Sequence, residues 1–252
     1  MGVGAATLEV RLVQHLLEEH APRPELCLVD LSQPLLACAF LHAAEALTGI
    51  RVWGLQCDLH ELPLYRAWVD GPEGRQRRCR LYCLLGGTLA DLDHEPRFFQ
   101  HNLPGCAPGD LLLVDLQVAR GAAADPVEIK KRDKDWSAGV SPAQAAWLSG
   151  PLWRHGKDVT QVHFAWELDP HGPLPGSYAL DAVATVQSRG RAERRFSMFR
   201  FRRYAPDQLA DCLGGLGWEE IGVWPYGGPE TPWSLRLFRK GTEPLVGTAG
   251  HA

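Results

Sequence analysis

The sequence predicts an α/β fold in which a doubly wound, mainly parallel sheet carries an inserted antiparallel lobe. In the first half, short continuous apolar runs alternate with stretches of helical periodicity, as in parallel strands that are buried on both faces and joined by helices. From residue 117 to about residue 204, longer segments alternate apolar with polar residues, as half-buried antiparallel strands do. Apolar residues make up 45% of the chain and charged residues 22%, which excludes a disordered chain or a coiled coil.

The elements of the first half follow from these two patterns in chain order. Leu8, Leu12 and Leu16 recur at the spacing of one helix face, which predicts a helix over 5–20. After it, the short apolar runs predict strands, and the periodic stretches between them predict helices. These elements are a strand at 26–31, a helix at 35–47, strands at 51–59 and 80–85, a helix at 94–102 and a strand at 111–116.

Longer alternating segments and a final return to helical periodicity describe the rest of the chain. The lobe is expected to hold strands at 162–168, 178–187 and 195–204. The pattern then predicts a helix at 206–216 that ends at Gly217, followed by strands at 220–224 and 235–239. The resulting division is a sheet domain of 1–118 and 205–240, an inserted lobe of 119–204 and a flexible tail of 241–252.

Charge and cysteine usage limit what the chain binds and where it works. The formal net charge of −4 is too small to attract nucleic acid or a membrane by itself. The seven cysteines include no CxxC pair, and the ten histidines include no HxxxH spacing, so neither a disulfide framework nor a metal site is predicted. Cys27 and Cys83 lie in apolar runs and are expected to be buried. Without a signal-peptide pattern or an apolar run of about 18 residues, the expected location is the cytoplasm.

Glycines and aspartates stand where an α/β sheet binds its ligand. Gly2 and Gly4 open the first helix, and Asp30 and Asp58 end the next two predicted strands at equal spacings of 28 residues. Ligands lie outside the carboxyl ends of parallel strands, where glycine lets the backbone approach and an acidic residue accepts hydrogen bonds from ribose hydroxyls. The combination predicts a cofactor site, while a helix cap is the alternative role for each aspartate.

The sequence resembles the class I S-adenosylmethionine-dependent methyltransferases, and more narrowly the histidine-specific methyltransferase family of ergothioneine biosynthesis. The segments that carry the resemblance lie at 29–32, 57–59, 84–92, 108–110, 125–126, 139–141 and 203–206. It implies a Rossmann-like sheet with S-adenosyl-L-methionine as cofactor, and it places Gly2 and Gly4 along the methionine and ribose. By the same resemblance Asp30 binds the ribose hydroxyls, and Asp58 and Leu59 face the adenine.

The LLGGTLADL segment links this cofactor site to the methyl acceptor. The resemblance places Gly86 at the cofactor and Asp91 where the family has an asparagine that grips the amino acid substrate. A carboxylate at that position is suited to an ammonium, so Asp91 is the predicted catalytic and substrate-binding residue. The alternative role for Asp91 is the cap of the helix near His94. The family's glutamate and serine that hold the imidazole fall on Phe199 and Phe201, which offer no hydrogen bonds.

These substitutions predict a methyltransferase that acts on the amino group of an amino acid or small metabolite other than free histidine. Phe199 and Phe201 share one face of a predicted strand, where they would line an apolar or aromatic acceptor pocket. Ordinary packing in the core is the alternative for this pair.

Two other classes of function remain open from the sequence. Seven arginines between residues 189 and 203 face one acid, Glu193, and alternate with phenylalanines, a pattern that suits nucleic acid but also a solvated strand face. A non-catalytic cofactor-binding remnant is the other class, because a complete sheet of this kind has a buried strand ahead of Gly2. The chain is accordingly expected to begin inside the glycine motif, with an exposed central sheet edge and weakened cofactor binding.

Overall fold

A computed structural model describes residues 4–19, 24–65, 79–119, 127, 129, 139–155, 158–228 and 231–242. Over these residues the α/β fold that the sequence predicts is confirmed, with parallel strand pairs, connecting helices and a separate antiparallel sheet. The chain divides into two compact units. The first unit comprises Met1–Leu116, Ala210–Pro225 and Ser234–Ala252, and the second comprises Gln117–Leu209 and Tyr226–Trp233.

Helices and strands alternate through the first half of the chain as predicted. They are α1 (Thr7–Glu18), β1 (Glu25–Asp30), α2 (Gln33–Ala46), β2 (Arg51–Gln56), β3 (Leu81–Leu84), α3 (Glu95–Asn102) and β4 (Leu111–Gln117). Short 3-10 helices stand at Leu59–Glu61 and Thr88–Asp91. The strand β1 pairs in parallel with β2, and β3 pairs in parallel with β4.

The core of the first unit joins α1 and α2 to β1. Val10 of α1, Leu28 of β1 and Leu36 of α2 belong to one cluster of buried side chains. A Cβ atom on Gly54 would approach the Leu36 side chain to 3.3 Å, so glycine allows α2 to pack closely on β2. The α2 helix begins with Ser32 as its cap, whose Oγ accepts from the Leu35 N–H at 3.5 Å.

The last elements of the chain extend the second sheet. They are a helix α5 (Pro206–Gly214) and two long strands, β8 (Trp218–Gly228) and β9 (Thr231–Lys240), and the strand order is β3, β4, β9, β8. The helix ends three residues earlier than Gly217, which has a left-handed φ of 78°. The backbone of Lys240 exchanges hydrogen bonds with Gly109 and Asp110, and this fixes β9 beside the start of β4.

The second unit holds the antiparallel sheet that the sequence predicts, with its first two strands longer than expected. Its strands are β5 (Val159–Asp169), β6 (Tyr178–Ser188) and β7 (Arg194–Arg203), with β6 in the middle. A helix that the sequence patterns did not predict, α4 (Pro142–His155), packs against this sheet through Leu148. The predicted tail lies outside the described residues except for 241 and 242.

Candidate functional site

Two predicted cofactor residues stand at neighbouring strand ends in the first unit. Asp30 is the last residue of β1 and is 8% exposed, and its Oδ1 accepts from the Ser32 N–H at 2.8 Å. The Cys57 N–H donates to the Asp30 carbonyl at 3.2 Å, which holds the ends of β1 and β2 together. Asp58 follows at once and is exposed. The structure therefore brings these two carboxylates to the same edge of the β1–β2 sheet.

Asp58 also caps a helix, which is the alternative role that the sequence analysis gave it. Its Oδ1 accepts from the His60 N–H at 2.9 Å and begins the 3-10 helix Leu59–Glu61. Leu59 is half-buried at the first position of that helix. A cap uses one carboxylate oxygen, so this contact is compatible with a second hydrogen bond to a ligand.

A double-glycine turn follows β3 at the carboxyl edge of the second sheet. Gly86 and Gly87 have left-handed φ values of 69° and 82°, which glycine adopts without a steric penalty. Their N–H groups donate to Oδ2 and Oδ1 of Asp115, each at 3.1 Å. A Cβ atom on Gly86 would meet nothing within 4 Å, so a ligand can approach the outer side of this turn.

Asp91 stands four residues beyond Gly87, and its predicted capping alternative is wrong. It is the last residue of the 3-10 helix Thr88–Asp91 and its side chain is exposed. The α3 helix is instead capped by His94, whose Nδ1 accepts from the Arg97 N–H at 3.2 Å. A histidine ring occupies the capping position, which leaves the Asp91 carboxylate outside the helix cap.

The first turn of α1 packs on the β1 core and carries a buried carboxyl. Gly2 lies outside the described residues, whereas Gly4 has a φ of 47° and open space around its Cβ direction. Val10 of α1 packs with the β1 core, and the neighbouring Glu9 is 7% exposed. Burial and the negative charge of Asp115 raise the pKa of Glu9. This effect of Asp115 on Glu9 indicates that the start of α1 lies near the carboxyl end of β4.

Sequence reasoning missed both Glu9 and Asp115. Asp115 is 3% exposed and lies in β4, whose sequence LLLVDLQ is otherwise almost entirely apolar. A single carboxylate inside such a run is the signal that could have found it, because a buried charge needs hydrogen-bond donors.

Phe199 and Phe201 belong to an aromatic row in the second unit, formed with Trp147 of α4 and Trp166 of β5. Phe199 meets Phe201 edge to face at 4.6 Å between ring centroids, and it meets Trp147 at 6.0 Å. Trp166 lies 5.3 Å from Phe201. Both phenylalanines are half-buried against the core, as the packing alternative expects, whereas Trp147 is 68% exposed. The row thus runs from the core to the surface.

Several arginines of β7 form contacts with other residues of the chain. Arg200 forms a two-pronged contact with Asp181 at 2.6 and 2.8 Å, and Arg195 pairs with Glu167. Arg202 and Arg203 are 1% and 4% exposed. The Arg203 guanidinium donates to Gln117 and lies 5.6 Å from the centroid of the Phe201 ring. Because these cations are paired or buried, a nucleic-acid surface along β7 is not favoured.

The described part of the chain contains no helix that is both long and apolar enough to span a bilayer. Within the same part, no three histidine, cysteine or acidic side chains come together as a metal site. All seven cysteines are free thiols. Cys27 and Cys83, which the sequence predicts to be buried, are half-buried.

Comparison with known proteins gives matches in fold but none in sequence. No family model and no curated protein matches the chain. An S-adenosylmethionine-dependent methyltransferase from Clostridium acetobutylicum is 14% identical, with a TM-score of 0.46 over 95% of this chain and 82% of that one. The glycopeptide N-methyltransferase MtfA, solved with S-adenosyl-L-homocysteine, is 17% identical, with a TM-score of 0.46 over 95% and 79% of the two chains. CalS10, an amino pentose methyltransferase from Micromonospora echinaspora, is 12% identical, with a TM-score of 0.42 over 93% and 80%.

Proposed function

We propose that the chain is an S-adenosyl-L-methionine-dependent methyltransferase that acts on the amino group of an amino acid or small metabolite other than free histidine. The observation that carries this proposal is the buried Asp30 carboxylate at the end of β1, with Asp58 at the neighbouring strand end. Carboxylates at such strand ends accept hydrogen bonds from the ribose of an adenosyl cofactor. The resemblance to histidine-specific methyltransferases includes these two residues and supports the same cofactor.

The residues fit this cofactor chemically. Among the described residues Oδ2 of Asp30 has no hydrogen-bond partner, so it can accept from a ribose hydroxyl. Gly86 leaves room for a ligand against its backbone, and Gly4 does the same at the start of α1. We place Gly2 and Gly4 along the methionine and ribose, and Asp58 and Leu59 at the adenine.

When bound, the cofactor supplies a methyl group on a positively charged sulfur. The protein's part in the displacement is to align the acceptor and to exclude water. Asp91 would hold the acceptor's amine through its carboxylate and orient the nitrogen lone pair toward the methyl group. An α-amine has a pKa of about 7.7 to 8.0, so its deprotonation near neutral pH needs only modest help from such a group.

Phe199 and Phe201 of the second unit are proposed as substrate-binding residues for an apolar or aromatic group. Trp147 at the exposed end of the aromatic row offers a large ring face, and Phe199 and Phe201 continue the apolar surface inward. These two rings carry no hydrogen-bonding atoms, so they cannot bind the nitrogens of an imidazole. The surface suits an apolar group instead.

Cofactor binding is tested by calorimetric titration with S-adenosyl-L-homocysteine. We expect Asp30→Asn to raise the dissociation constant about 10- to 100-fold, because hydrogen bonds to a charged group contribute about 1.5–3 kcal/mol. Glu25→Gln is the matched control at the opposite, exposed end of β1, and it should leave the affinity unchanged. The cofactor assignment would be overturned by a wild-type chain that does not bind, or by equal affinities of the two variants.

The acceptor is tested with methyl-labelled cofactor and a panel of amino acids, amines and histidine. We expect label in an amine other than histidine, and at least about a tenfold lower kcat for Asp91→Asn at saturating cofactor, since the neutral amide cannot take up a proton. Asp93→Asn is the control, because it changes a second exposed acid in the same connection. Cofactor binding without transfer to any acceptor would instead indicate a non-catalytic cofactor-binding protein.

A further inference from the structure

Two buried aspartates lie at β4, one directly before the strand and one within it. Asp110 directly precedes the strand and is 2% exposed, and Asp115 lies near the carboxyl end and is 3% exposed. Asp110 accepts from the Arg80 N–H at 3.1 Å and from the Ala107 N–H at 2.7 Å. Each carboxylate therefore receives two backbone donors, which is how a buried charge is stabilised. The two residues differ in the backbone segments whose amides they bind.

Asp115 holds a segment that has little conformational restraint of its own. Gly86 and Gly87 are consecutive glycines, so the free turn would sample many backbone conformations. Asp115 fixes both amides through its two oxygens. The Ala90 N–H then donates to the Gly87 carbonyl at 2.8 Å within the helix that ends at Asp91. The direction of this short helix therefore follows from the turn.

We infer that Asp115 is a positioning residue of the proposed methyltransferase site. By holding the amides of Gly86 and Gly87, it fixes the backbone against which the cofactor binds and also the position of Asp91. The inference rests on the proposed function. Because the turn is ordered before the ligand arrives, binding does not have to restrict it, and this lowers the cost of association.

A second buried carboxyl, Glu9 of α1, feels the charge of Asp115. Glu9 is buried in the first turn of α1, and its pKa is raised by that burial and by the charge of Asp115. Among the described residues Glu9 has no ion-pair partner, whereas Asp115 receives two amide donors.

The test compares Asp115→Asn with Asp110→Asn. In both variants an amide replaces a buried carboxylate at β4, so each loses one of two backbone contacts and both should lose some stability. Calorimetry with S-adenosyl-L-homocysteine is done at a temperature where circular dichroism shows both variants folded. We expect the dissociation constant to rise about tenfold or more in Asp115→Asn and to change less than about twofold in Asp110→Asn. At saturating cofactor, kcat should also fall only in Asp115→Asn, because Asp91 is displaced.

The outcomes separate this inference from the function on which it rests. A wild-type chain that does not bind S-adenosyl-L-homocysteine contradicts the proposed function. A wild-type chain that binds, with equal affinity in the two asparagine variants, overturns only the role of Asp115.

A measurement on the wild-type chain covers the case in which Asp115→Asn does not fold. Hydrogen exchange followed by NMR should show slow exchange of the Gly86 and Gly87 amides, since both donate to a buried acceptor. Exchange of these two amides at the rate of an unstructured peptide would overturn the inference.

Discussion

Buried acidic residues determine much of the local chemistry in the first unit. Glu9 is a carboxyl in the first turn of α1, where the positive end of the helix dipole favours its charge. Burial and Asp115 oppose that charge and raise the pKa of Glu9 above its usual 4.5. Burial, more than the helix dipole, therefore sets the direction in which the pKa of Glu9 shifts.

This raised pKa predicts a stability that depends on pH. A folded-state pKa above the unfolded value means that the native chain binds the proton more tightly, so Glu9 contributes stability at low pH. That contribution is lost as the pH rises from about 4.5 through the folded-state pKa. We expect Glu9→Gln to have a higher melting temperature relative to wild type at pH 7 than at pH 4. Thermal unfolding followed by circular dichroism measures this difference.

Glu18→Gln is the control for this prediction because Glu18 lies exposed in the last turn of α1. Its contact with His15 is 3.9 Å long between two solvated side chains, and such surface pairs contribute little. The Glu9 assignment is wrong if both variants show the same shift relative to wild type at every pH.

Single residues also show why part of the site could be predicted and part could not. Asp30 and Asp58 follow apolar runs, so their place at strand ends was predictable from local patterns. Their ligand roles stay predictions. The partners of Asp115 could not be predicted, because the amides of Gly86 and Gly87 are 29 and 28 residues away in sequence. Residues that meet across neighbouring parallel strands are far apart in sequence, so no local pattern predicts their contact.

At the scale of elements, periodicity located the strands well and missed the helix α4. The sequence of α4 contains Gly150 and Pro151, which weaken any helical pattern. Its start nevertheless carries a readable signal, since Ser141 and Gln144 form a reciprocal capping box with hydrogen bonds of 2.9 and 3.2 Å around Pro142. Capping chemistry would have identified this helix where hydrophobic spacing did not.

The last two strands of the chain are longer than the sequence pattern predicted. The prediction for β8 covered residues 220–224, whereas the strand runs from Trp218 to Gly228. Its outer half contains Pro225 and is exposed on both faces, so alternation of burial is absent there. Proline is compatible with an edge strand, and β8 stands at the edge of its sheet. Hairpin pairing with β9, rather than burial, maintains this part of the strand.

Across the whole molecule, the cysteines are distributed unevenly between the two units. All seven thiols belong to the first unit, so their reactivity reports on that unit alone. Burial raises the pKa of Cys27 to about 12 and that of Cys83 to about 11. At pH 8 a thiol with a pKa of about 12 is ionised in about one molecule in ten thousand, and only the thiolate is nucleophilic.

These differences predict an order of modification by iodoacetamide. Cys38 is exposed on α2 and should react first. Cys79 should follow, because its thiol donates to the Gly109 carbonyl at 3.0 Å and its pKa is raised by burial and by Asp110. Cys27 and Cys83 should react at least about a hundredfold more slowly than Cys38 until denaturant unfolds the first unit. Mass spectrometry of peptides from a timed labelling series measures each rate, and Cys38→Ser should remove the fastest phase alone. Native-state labelling of Cys27 or Cys83 at the rate of Cys38 would contradict the packing of β1 and β3, which leaves these thiols half-buried.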